Sequence, residues 1–94
     1  MTFVDINIPR AEPGEITIFI AGEHGVQERV LLLSPDPLGV RVREWHPGNW
    51  ATGPETRVVS PEEIEALLDD SGRSRRRVTP PAAEVRAWLR RQSR

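Results

Sequence analysis

Two histidines, three tryptophans and a block of arginines are the residues of this 94-residue chain whose chemistry could reach beyond folding. His24 and His46 each follow close on a carboxylate, Glu23 and Glu44. Imidazole and carboxylate together make a facial metal site when loops converge. Their spacing matches no ligand motif, however, and both histidines fall in turn-rich stretches where a histidine is ordinary. Nucleophilic chemistry has less support. Ser34 and Ser60 each precede a proline, and no Gly-x-Ser-x-Gly elbow occurs. With no lysine there is no Gly-x-x-x-x-Gly-Lys phosphate loop, and with no cysteine there is neither a disulfide nor a thiolate zinc site. The expectation is a protein with no catalytic residue, no bound metal and no small-molecule cofactor.

Two constellations are suited to binding instead. The first is the C-terminal segment, where Arg73, Arg75, Arg76, Arg77, Arg86, Arg90, Arg91 and Arg94 stand against Glu84 alone, a net +7 over residues 73–94. Residues 1–72 carry −8, so the overall −1 conceals a strong asymmetry between the two parts. Guanidinium groups bridge phosphates bidentately and stack on bases, and their affinity for nucleic acid falls steeply with salt. The same charges would equally suit an acidic protein surface, including the −8 body of this chain or of a second copy, or could simply be solvated. All thirteen cations are arginine, a bias that codon usage in a GC-rich genome would also produce. The second constellation is the loop holding Trp45, His46 and Trp50 around a Pro-Gly turn. Tryptophan combines a large contact area with a polar N–H and is enriched in recognition sites. In a chain with two phenylalanines and no tyrosine, the same tryptophans would also serve to cap the edge of a small core.

The elements that must position these groups follow from periodicity. Val4, Ile6 and Ile8 alternate with polar residues, as do Ile16, Ile18 and Ile20, and period two in β-branched residues argues for strands. Phe19 on the second face of the latter strand implies that this face is covered as well. Gly22 to Gly25 makes a hairpin connector. Val26–Leu33 reads as a third strand that the prolines at 35 and 37 should end, and Leu38, Val40 and Val42 as a fourth. The Trp45–Glu55 stretch, with two prolines and two glycines, reads as a loop before a short strand at Thr56–Val59. Ser60, Pro61 and Glu63 then supply an N-cap, a proline at the first helical position and a capping box. Ile64, Leu67 and Leu68 form the apolar face of that helix, and Gly72 is the expected residue past its end. Residues 71–78 are polar and without period, which reads as a linker. After Thr79, Pro80 and Pro81 comes a second amphipathic helix with Val85, Trp88 and Leu89 on one side. A helix this short is marginal alone in water, so Trp88 needs a surface to rest on.

Together these features give an α+β class: a small antiparallel sheet of four to five strands, one packed helix, and a C-terminal amphipathic helix. Connections too short for crossover helices make the sheet antiparallel. Residues 1–72 form the expected sheet domain, and residues 73–94 the arginine-rich linker and helix. At 37% hydrophobic residues and a mean hydropathy of −0.47, the core should be small. Neither a membrane-spanning run nor a secretory leader is apparent, and a cytoplasmic location is expected. The function expected is that of a small non-catalytic regulatory or adaptor protein. It would act on a protein partner, or on itself as a homodimer, through Arg73, Arg75, Arg76, Arg77, Arg86, Trp88, Arg90 and Arg91 and the Trp45–His46–Trp50 loop. The alternative is a nucleic-acid binder that uses the same arginines as a phosphate-contacting arm.

Overall fold

A computed structural model describes residues 10–22, 27–49 and 51–92. The strand expected over residues 3–8 lies outside them, as do Glu23, His24, Trp50 and Arg94. The described elements are β1 (Ile16–Ala21), β2 (Gln27–Asp36), β3 (Gly39–Trp45), β4 (Glu55–Val59), α1 (Pro61–Arg73), β5 (Arg77–Thr79) and α2 (Ala82–Gln92). The strands form one sheet in the order β4-β3-β2-β1-β5, and every neighbouring pair is antiparallel. The expected α+β class is the one observed.

Alternation along each strand sends its residues to two different faces. The registers Ile18↔Leu31, Leu33↔Val42 and Val40↔Val59 align branched aliphatic side chains across four strands. Both helices lie on that face. Ile64 and Leu68 of α1, with Val85, Trp88 and Leu89 of α2, complete a single core with the sheet. The opposite face carries a smaller cluster of Val30, Leu32 and Trp45, with Phe19 packed against it. No helix covers this second face among the described residues.

The β2–β3 connection departs from expectation. The prolines do not end β2, which continues through Ser34 and Pro35 to Asp36. Pro35 pairs with Val40, while β1 begins only opposite Leu33, so no described strand lies on the other side of β2 at Pro35. A missing N–H is tolerated at such a position. The hairpin turns on Pro37 and Leu38, between an aspartate and a glycine, which are the residue preferences of a type I turn. The Asp36 carboxylate accepts a hydrogen bond from the Leu38 N–H at 2.9 Å. Leu38 is therefore a turn residue and not the start of a strand. Gly39 has a φ of +145°, and a Cβ there would collide with the Val59 carbonyl. Glycine is required at this point.

Ser60 caps α1 as expected, accepting a hydrogen bond from the Glu63 N–H at 3.3 Å, with Pro61 in the first turn. The other end differs. The helix runs through Gly72 to Arg73, and the left-handed residue past its end is Arg75, at φ 57°. The Arg76 N–H donates to the Ser71 carbonyl at 2.9 Å and the Arg75 N–H to the Gly72 carbonyl at 3.2 Å. That pattern is a Schellman motif with arginine where glycine is usual. The chain thereby turns back to the sheet, and residues 77–79, expected within a linker, form β5 beside β1. Residues 73–92 thus share both the sheet and the core with the residues before them.

Candidate functional site

The charged end of the sheet is organised around Glu44. Its position on β3 puts its side chain on the helix-covered face, in register with Leu31 and Glu55. Arg29 on β2 and Arg57 on β4 reach it from either side. Arg29 Nε donates to Oε2 at 2.5 Å and Arg57 Nη1 to Oε1 at 2.9 Å. Glu44 is 5% exposed. Burial alone would raise its pKa, but the two guanidinium hydrogen bonds and their charges outweigh this and hold it below the ordinary value of 4.5. On the opposite face Arg43 forms a bidentate pair with Glu15, at 2.7 and 2.8 Å, and its guanidinium lies 5.9 Å from the Trp45 ring centroid. The pairing with Arg43 lowers the pKa of Glu15.

The loop after β3 is tied by Asn49. Its side-chain oxygen accepts from the His46 N–H at 3.0 Å and its amide nitrogen donates to the Glu44 carbonyl at 3.1 Å. Its own carbonyl accepts from the Thr52 and Gly53 N–H groups. His46 Nδ1 accepts the Gly48 N–H at 3.1 Å, which leaves the proton on Nε2, 3.1 Å from Glu55 Oε1. Both ring nitrogens are thus used in holding the loop against the first residue of β4. No group of three His, Cys, Asp or Glu side chains suited to a metal ion occurs among the described residues. Glu44, considered above beside His46 for such chemistry, is instead an arginine partner.

The expected contact residues are dispersed by the fold. Trp88 is buried in the core of its own chain, and Trp45 in the cluster on the second face. Neither offers an aromatic platform to a partner, because each fills space that a sheet with few large apolar residues would leave empty. Arg76 pairs with Glu28 at 2.6 Å, and Arg86 binds Glu65 at 2.8 Å together with Asp69, tying α2 to α1. Arg73 lies 3.8 Å from Asp70. Arg75, Arg77, Arg90 and Arg91 are exposed and make no ion pair among the described residues. Among the described arginines of the segment, these four are the ones outside any ion pair.

A surface that the sequence did not single out is the edge strand β4. It is the outermost described strand, and Glu55, Thr56, Arg57 and Val58 are all exposed, Val58 to 46%. At the other edge β5 has only three residues. Because the Val59 carbonyl points at Gly39, alternation turns the N–H and C=O of Thr56 and Val58 away from β3, outward along the edge. Nothing in a single strand's sequence announces that it will be outermost, since strand order is set by long-range pairing.

Comparison with protein-family models, with curated proteins and with solved structures found no match. No helix among the described residues is long and apolar enough to cross a membrane.

Proposed function

We propose that this is a non-catalytic binding protein that takes a protein partner by strand addition along β4. The observation that carries the reading is that no described strand covers the outer edge of β4: Glu55, Thr56, Arg57 and Val58 are all exposed, and the backbone groups of Thr56 and Val58 face outward. An uncovered strand edge is a template for another strand, and strand addition uses main-chain hydrogen bonds for affinity and side chains for specificity. The local hydrogen bonding of His46 supports the non-catalytic part. Its imidazole is used as a staple between the loop and β4.

The test is photo-cross-linking in cells of the source organism, with a benzophenone amino acid at position 56 and a control at exposed Glu62 on α1. A protein adduct formed from position 56 and not from position 62 is expected, and its mass identifies the partner. Equal yields from both positions, or none from position 56, would remove β4 as the contact.

A second reading, nucleic-acid binding, draws on Arg75, Arg77, Arg90 and Arg91, which are exposed and make no ion pair among the described residues. Each phosphate neutralised on duplex DNA contributes about 0.9 to the slope of log K against log salt. Four arginines therefore permit a slope of roughly −3.6 at most, and replacing Arg75 and Arg77 by alanine should reduce it by about 2. Binding with a slope unchanged by these substitutions would exclude this surface.

A further inference from the structure

We infer that the occupant of the β4 edge is β4 of a second copy of this chain, paired antiparallel about Thr56. This rests on the reading of β4 as a docking edge, and adds the identity of the partner and the register. The backbone limits the choices. Only Thr56 and Val58 of β4 turn their polar groups outward, so a symmetric pairing must be centred on Thr56, Arg57 or Val58. Centring on Arg57 sets Arg57 against its own copy. Centring on Val58 leaves Arg57 opposite Val59 and Glu55 beyond the partner strand. Centring on Thr56 sets Glu55 opposite Arg57 twice, across the twofold axis.

The side chains are suited to that register. Arg57 uses Nη1 on Glu44 and is 43% exposed, with Nε and Nη2 left to face an approaching carboxylate. Glu55 receives His46 on one oxygen and is 61% exposed. Each Arg57 would sit between Glu44 of its own chain and Glu55 of the second copy. In the closely spaced, non-hydrogen-bonded pair of an antiparallel ladder, opposite charges facing one another are favourable and like charges unfavourable. On the other face Thr56 meets its own copy, and exposed Val58 falls opposite exposed Pro54. The pairing joins two five-stranded sheets into one continuous sheet. A contact made chiefly by one strand pair is small, so the dimer should be weak and concentration-dependent.

The experiment is sedimentation velocity of the full chain across a concentration series, with two variants whose folding is checked by circular dichroism. The chain as it stands should move from monomer toward dimer as concentration rises. Thr56→Pro removes an outward N–H that β3 does not use, and should remain monomeric while keeping its fold. Glu55→Arg replaces both Glu–Arg pairs with Arg–Arg pairs and should weaken the dimer at least about tenfold. It should also reverse the salt response, since added salt weakens an attractive pair and relieves a repulsive one. A monomer at every concentration would overturn self-pairing while leaving the edge to another partner. A dimer that survives Thr56→Pro would overturn the edge as well. Indifference of the dimer to Glu55→Arg would overturn the Thr56-centred register.

Discussion

Replacing Glu44 with glutamine tests whether the arginine clasp stabilises the fold through charge. Removing one partner of a fully buried ion pair costs about 3–5 kcal/mol, whereas an exposed pair contributes about 0–1 kcal/mol. Glu44 lies between these limits. The carboxylate is buried, yet the Arg29 and Arg57 side chains are 32% and 43% exposed, so the charges left behind can still reach water. Glutamine also keeps the shape and one acceptor. The expected loss is about 1–2 kcal/mol, which for a domain of this size lowers Tm by roughly 5–15 °C. The pH dependence gives the sharper test. A carboxylate whose folded-state pKa is depressed contributes its stability above the unfolded-state value and loses it as pH falls through the folded-state value. With Glu44 held below 4.5, the gap between the two proteins should be full at neutral pH and close progressively in acid. Glutamine cannot titrate, so the difference between the two proteins isolates the contribution of Glu44 from that of the other carboxylates. Thermal melts at neutral pH and in acid, followed by tryptophan fluorescence, would measure it. A gap of equal size in both conditions, or none at neutral pH, would refute the electrostatic account of this cluster.

Gly39→Ala should destabilise by about 2 kcal/mol or more in urea titration, since it combines a positive φ with a Cβ driven onto the Val59 carbonyl. Arg75→Gly should do the reverse and stabilise by about 0.5–1 kcal/mol, because glycine enters the left-handed position of the Schellman motif without strain; a loss of stability would mean the arginine side chain matters more than the backbone. Trp88→Ala should cost about 3–5 kcal/mol by opening a cavity in the main core. For the same reason a chain ending at residue 72, which lacks β5, Val85, Trp88 and Leu89, should show no cooperative melt, and a sharp one would show that the sheet folds without them.

Elements set by local chemistry were legible in the sequence. Ser60, Pro61 and Glu63 announce α1, because the cap, the fixed proline φ and the N3 carboxylate all act within one turn. Val85, Trp88 and Leu89 announce a buried helix face in the same way. What was not legible depends on partners remote in the chain. Arg77, Val78 and Thr79 show no strand pattern of their own and become β5 only because β1 offers an edge. Pro35 reads as a breaker until β3 is seen to pair with it on one side while no described strand lies on the other. Charge left the choice open: eight arginines against one acid suit nucleic acid, a partner or the acidic body of the chain itself, and the fold pairs Arg76 and Arg86 with Glu28, Glu65 and Asp69 of that body. Conversely, Glu55 and Arg57 look like ordinary strand-surface charges until the strand order places them at an open edge.

Amide hydrogen exchange at Thr56 and Val58 tests the role of that edge most directly. The N–H groups of Arg57 and Val59 face β3 and should be protected at any concentration. Those of Thr56 and Val58 face outward and should exchange freely in dilute protein, then gain protection as concentration rises and second copies pair along β4. Free exchange of both amides at every concentration would contradict pairing of β4 with a second copy.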